Sequence, residues 1–254
     1  MRLPVIFLAH GAPTLALDGG AWASALRLLG ESLPRPGAIL VVSAHWETPG
    51  APRITSSSRP GVVHDFGGFP EALYRLDYPC TGDPLLAARL ARPLCADLDG
   101  ERPLDHGAWV PLRWMYPAAD VPVLQLSLPR PRDPSLLLRM GEALRAFRDE
   151  GILLVGSGGL VHNLRRLDWE GDGDPEPWAK AFEDWVVREL GFRAPHVFTQ
   201  SLANAPHLRE AVPTMEHFDP LLLCLGAIEP GSAPRTLFAG WQMRNLSLRC
   251  LAWD

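Results

Sequence analysis

Val5-Ile6-Phe7-Leu8-Ala9-His10-Gly11-Ala12-Pro13 places five consecutive apolar residues directly before a histidine and a glycine-proline turn. Apolar on both alternations of the pleat, such a run reads as a strand buried on both faces, and its abrupt end reads as a loop at the strand's carboxyl end. The pattern returns along the chain. Ala38 to Val42 runs into Ser43-Ala44-His45, Val121 to Leu126 forms a third run, and Ile152 to Val155 leads into Gly156-Ser157-Gly158. Between these runs, Ala21 to Leu29, Leu85 to Leu94, Pro134 to Arg148 and Trp178 to Leu190 carry apolar residues at three-to-four spacing and predict helices. Strands alternating with helices predict an α/β fold with a central, largely parallel sheet covered by helices on both faces. Its edge is expected to be mixed, because Leu246 to Trp253 alternates weakly and suits an antiparallel edge strand. In open α/β sheets ligands sit beyond the carboxyl ends of the strands, where His10, His45 and the Gly-Ser-Gly turn would meet.

The stretches Thr48 to Gly61 and Gly171 to Pro175 read as surface loops, since alternation resumes after each. Residues 1–254 are therefore expected to form one domain, a length sufficient for one large core. With 47% hydrophobic and 21% charged residues the composition is that of a globular chain. A net charge of −5 supplies no basic field for a phosphate backbone, so no nucleic-acid partner is expected. No apolar stretch approaches the roughly 18 residues of a membrane span, and the short N-terminal run lacks a signal-peptide cleavage pattern. The four cysteines, Cys80, Cys95, Cys224 and Cys250, are far apart and read as reduced, buried thiols. A cytoplasmic protein is the expectation, with a homodimer as the base-rate assembly.

Six of the eight histidines lie in glycine-, proline- or asparagine-rich contexts: His10, His45, His64, His106, His162 and His217. Any one histidine is more often structural than ligating, but two of these follow buried strands, where distant positions converge, and neutral imidazole is a common metal ligand. His196 and His207 lack such contexts and read as surface residues. HExxH, GxGxxG and the phosphate-loop GKS/T are absent. A hydrolase with Ser157 or Ser43 as nucleophile and His162 as base would lack the GxSxG elbow that exposes a strained serine.

Seven ordered blocks resemble the class III extradiol ring-cleavage dioxygenases, in particular their DOPA-dioxygenase branch. They are Leu8-Ala9-His10-Gly11-Ala12-Pro13, Val41 to Thr48, His64 to Pro70 with Tyr74 and Tyr78-Pro79, Leu104 to Leu112, Pro122 to Ser127, Gly156-Ser157-Gly158 with Val161-His162-Asn163-Leu164, and Pro213 to His217 with Leu225-Gly226-Ala227. The resemblance implies one catalytic domain with a non-haem Fe(II) site, or a Zn(II) site, held by His10, His45 and His217. It makes His162 the acid/base and a candidate fourth ligand, and gives His106 a contact to substrate or oxygen. His64 is expected to line the pocket and bind substrate. The substrates implied are O2 and a catechol such as DOPA or caffeate, opened to a semialdehyde. Activating O2 against a singlet catechol requires a metal with open positions, and deprotonating the catechol suits an imidazole titrating near neutrality. Asp105 beside His106 and Asp65 beside His64 are placed to orient those rings, and Glu216 leaves open a carboxylate ligand. Ala12 stands where a serine is common. A zinc-dependent hydrolase using the same cluster, or a non-catalytic metal-binding relative, remains an alternative from the residues alone.

Overall fold

In the computed structural model, residues 2–131, 133–169, 171 and 173–254 are described. The chain runs β1 (Val5–Ala9), α1 (Gly20–Ser32), β2 (Ala38–Pro49), β3 (Arg53–Thr55), α2 (Glu71–Tyr74), α3 (Pro84–Leu94), β4 (Asp97–Asp99), α4 (His106–Met115), β5 (Val123–Arg130) and α5 (Pro134–Leu144). It continues through β6 (Ile152–Gly158), α6 (Pro177–Phe192), α7 (Pro195–Ser201), α8 (Leu208–Ala211), α9 (Asp219–Ala227), β7 (Arg235–Phe238), β8 (Trp241–Gln242), β9 (Leu246–Ser247) and β10 (Cys250–Trp253). Eight strands form one sheet in the order β4-β3-β5-β2-β6-β1-β10-β7, with β8 and β9 paired separately. The central pairs β5-β2, β2-β6 and β6-β1 are parallel, while β10 and β7 add antiparallel strands beyond β1.

Strand periodicity divides the core. Val5 and Phe7 of β1, with Leu40 and Val42 of β2, face α5, α6 and α9, whereas Ile6, Leu8, Ile39 and Val41 face α1 and α4. Successive side chains of a strand point to opposite faces, so uninterrupted apolar runs here supply both cores at once. Helix starts are set locally. Asp83 and Asp133 cap α3 and α5 by accepting from Leu86 N and Ser135 N, each with proline at the first helical position. The run around Leu221 belongs to α9, which is buried on all sides. Among the described residues, no helix is long and apolar enough to cross a membrane.

Several expected boundaries move. β2 does not stop at Val42 but continues to Pro49, because the four residues 43–46 bulge opposite Ser127 before pairing resumes at Glu47 and Leu128. Gly156-Ser157-Gly158 is the end of β6 rather than a turn. A Cβ on Gly156 would lie 2.5 Å from Cys224 Sγ, and one on Gly158 would lie 2.0 Å from the His217 carbonyl oxygen. These glycines admit the chain that approaches the strand. The loop expected from Thr48 to Gly61 contains β3, which pairs with both β4 and β5. The last strand is antiparallel as expected but lies inside the sheet, since β7 covers its outer side. In the loop expected at 171–175, position 172 lies outside the described residues, and the other four positions form neither helix nor strand. Cys80, Cys224 and Cys250 are buried free thiols, while Cys95 is exposed at the end of α3 in a left-handed conformation.

Candidate metal centre

Two strand ends, one bulge, one helix start and one loop bring five histidines together. His10 follows β1, and its amide donates to the Gly158 carbonyl at 3.2 Å, fastening the turn to the end of β6. Its Nδ1 lies 2.9 Å from Ser157 Oγ, and Ser157 donates its proton to the Gly107 carbonyl at 2.5 Å. A hydroxyl has a single proton, so Ser157 must accept from His10. His10 therefore carries its hydrogen on Nδ1 and presents the Nε2 lone pair.

His45 stands in the β2 bulge with Nε2 3.1 Å from His10 Nε2 and Nδ1 3.8 Å from Asp65 Oδ2. Ser43 supports the bulge by donating to Asp105 Oδ1 at 2.6 Å and accepting from the His45 amide at 3.2 Å. His217, in the loop before α9, sets Nδ1 3.2 Å from Glu216 Oε1. Its Nε2 is buried with no hydrogen-bond partner. One ring nitrogen each from His10, His45 and His217 lies within 4.8 Å of the others. Imidazole nitrogens packed this closely, one of them buried and unsatisfied, fit a divalent cation better than a polar core.

The electrostatics agree. Burial, followed by the charges of neighbouring histidines, pushes His10 and His217 well below the ordinary imidazole range. Burial and the nearby His106 take His45 down to about 3 against the pull of Asp65 and Glu216. All three are neutral at pH 7, the state a metal ligand requires.

His106 begins α4, whose first turn Asp105 caps by accepting from Ala108 N at 3.2 Å. Asp65 accepts from the His106 amide at 3.0 Å and from Nδ1 at 2.9 Å, which fixes the ring and leaves Nε2 free of the carboxylate. Burial acts to raise the Asp65 pKa, but the hydrogen bond and charge of His106 outweigh it and hold the carboxylate at about 2. His162 stacks on His217 with ring centroids 3.4 Å apart and planes 8° from parallel. A ring nitrogen of His162 falls with Glu216 and His217 in a second candidate cluster, apart from His10 and His45. Its expected near-neutral titration is displaced, since burial lowers it to about 4 despite the opposing Glu216. These five histidines line one cavity of about 310 Å³, whose lining also includes Leu164, Leu167, Trp169, Met243 and Leu246.

The family model described as the catalytic LigB subunit of aromatic ring-opening dioxygenase matches residues 5–244. The chain belongs to this family. As a LigB-family member it is an extradiol ring-cleavage dioxygenase, the class its sequence blocks resemble. It is 44% identical to the 4,5-DOPA dioxygenase extradiol of Escherichia coli, over 97% of this chain and 93% of that protein. The corresponding protein of Beta vulgaris is 36% identical over 92% of this chain and 90% of its own length. Dioxygenase tasH of Hapsidospora irregularis is 35% identical, covering 88% and 78%. A crystal structure of the uncharacterized protein JW3007 of Escherichia coli superposes with a TM-score of 0.84 at 36% identity, covering both chains completely.

Not every expected LigB-family site residue reaches the cavity. His64 lies outside its lining, with Nε2 3.0 Å from the Leu76 carbonyl and its ring edge-on to Phe66 and Trp109, so its neighbours Asp65 and Phe66 form that wall instead. Asp65 orients His106 rather than His64. Asp105 holds Ser43 and Gln125 rather than the ring beside it. Neither Ser43 nor Ser157 lines the cavity, and each commits its proton inside the protein, which removes the nucleophile from the serine-hydrolase reading. His196 and His207 are exposed, as expected of surface residues. The sequence reading missed the His106–Asp65 pair, the role of Ser157 as a hydrogen-bond acceptor, and the apolar outer wall.

Proposed function

We propose that this LigB-family protein is a metal-dependent extradiol dioxygenase, organised as a single catalytic domain, that opens a catechol ring with O2 to give a semialdehyde. The observation that carries the metal is the buried, unpartnered Nε2 of His217 beside the facing Nε2 atoms of His10 and His45. His10, His45 and His217 are the proposed ligands and Fe(II) the proposed ion. Zn(II) is the competing occupant, since three neutral imidazoles suit both. When bound, Fe(II) would supply open coordination positions and the electron relay between catechol and O2.

The remaining steps belong to side chains. His162, held flat against His217, takes a catechol hydroxyl proton on a ring nitrogen and later returns it. His106, its Nδ1 anchored by Asp65, offers Nε2 to the substrate or to oxygen. Overall, a ring carbon–carbon bond next to a hydroxyl-bearing carbon breaks, and both oxygen atoms enter the product. DOPA and caffeate are the first substrates to test, the former because relatives carry it in their names.

Anaerobic loading with Fe(II), followed by catechol in air, should give oxygen uptake in step with a yellow semialdehyde absorbance, and Zn(II) loading should give neither. His10→Ala, His45→Ala and His217→Ala should each lose stoichiometric metal. His162→Ala should keep metal and lose turnover, whereas His196→Ala should change neither. Full Fe(II) occupancy without oxygen uptake on any catechol would overturn the reading.

A further inference from the structure

The cavity changes character along its depth. Its most buried lining is His10, His106 and His217, with His106 anchored by the more exposed Asp65. The apolar part of the lining includes the buried Leu246, the half-buried Leu167 and Met243, and Leu164 and Trp169 at the outer wall. Two of these are large apolar side chains left open to solvent, Trp169 at 66% and Leu164 at 60% exposure. Apolar surface held open at the rim of a cavity usually marks a place that a ligand covers.

Among the described residues lining the cavity, Asp65 is the only acidic or basic side chain apart from the histidines, and its two oxygens are turned to His106 and His45. The arginines near the outer wall face elsewhere. Arg166 pairs with Glu210, and Arg244 lies 3.7 Å from Asp168 and 3.6 Å from Glu176. Arg165 is exposed and outside the lining.

A catechol whose two oxygens point toward His10, His45 and His217 extends its ring away from them, and the large exposed side chains of the lining it can then meet are Leu164 and Trp169. Covering that wall with a carboxylate or an ammonium would strip water from the charge without replacing its hydrogen bonds, whereas an alkyl or aryl group would bury apolar surface on both sides. We propose that the preferred substrate is a catechol bearing an uncharged, apolar substituent, which packs on Leu164, Leu167 and Trp169, rather than a catechol amino acid or acid. This inference rests on the catechol-dioxygenase reading above.

The test compares 4-propylcatechol, 3-(3,4-dihydroxyphenyl)propionate and DOPA on the Fe(II)-loaded enzyme, in kcat/KM and in equilibrium affinity measured anaerobically. Propylcatechol should exceed both charged compounds by at least about tenfold in each quantity, the scale of a small change in apolar contact. Trp169→Arg should narrow or invert the ratio between propylcatechol and the propionate. Turnover with the propionate or DOPA equal to or better than propylcatechol would overturn the inference and leave the dioxygenase reading standing. The expected order of affinities without oxygen uptake would sink that reading and leave the apolar subsite.

Discussion

At the residue scale, a histidine's neighbours in space set its chemistry. Ser157, in β6, lies 147 positions from His10, yet it determines which nitrogen of that ring bears the proton. Ser157→Ala removes the acceptor without emptying much volume, and metal affinity should fall about 10- to 100-fold, the usual scale for losing a ligand's hydrogen-bond partner. Competition with a chromogenic chelator reads this directly, and unchanged affinity would show that the tautomer is fixed elsewhere. In the metal-free protein the neutral burial of these rings also makes stability depend on pH. His45 titrates at about 3 and His162 at about 4 in the fold, against about 6.5 in the unfolded chain, so the unfolded chain binds the extra protons. That stability is whole above pH 6.5 and is lost as pH falls toward 4 and 3. Melting of the metal-free protein should therefore drop by more than about 5 °C between pH 7.5 and pH 5, and a flat profile would contradict the buried neutral cluster. The histidines themselves were legible in the sequence because their glycine- and asparagine-rich contexts set them apart. Their pairings were not, because His106 finds Asp65 across 41 positions.

At the scale of elements, the centre depends on two departures from regular strand geometry. The bulge at 43–46 turns His45 toward the end of β1 in the middle of β2, where an unbroken ladder would fix its face by alternation alone. Gly158 at the end of β6 lets the His217 backbone come close, and the Gly159 amide donates to the His217 carbonyl at 2.9 Å. Gly158→Ala would place a methyl 2.0 Å from that oxygen. We expect a loss of about 1–3 kcal/mol in stability together with at least tenfold weaker metal binding, measured by denaturant unfolding and chelator competition. Gly191→Ala, in α6 with open space around it, is the control and should leave both unchanged or slightly improve stability. The strands and helices were readable from apolar runs and caps, whereas the bulge was not, since its cause is pairing with β5 rather than any local pattern.

At the scale of the whole molecule, one sheet separates two apolar cores that share the same strands, so neither can come apart while the other stays folded. The metal-free protein should unfold in a single transition, with tryptophan fluorescence and far-ultraviolet dichroism coinciding. Trp22 and Trp109 report on one face and Trp178 on the other, so two separate transitions would argue against the single-domain proposal. By itself the sequence determined the alternation of strands and helices, the parallel centre of the sheet and the set of residues able to hold a metal. Those follow from periodicity and residue chemistry, which act over a few positions. Only the tertiary structure decided that β10 lies inside the sheet, that His64 packs behind the cavity and that Asp65 serves His106. It also decided that apolar residues near 164 and 243 line the same cavity as the histidines. These depend on contacts between segments tens to hundreds of residues apart, and no local pattern encodes which of many compatible partners the folded chain brings together.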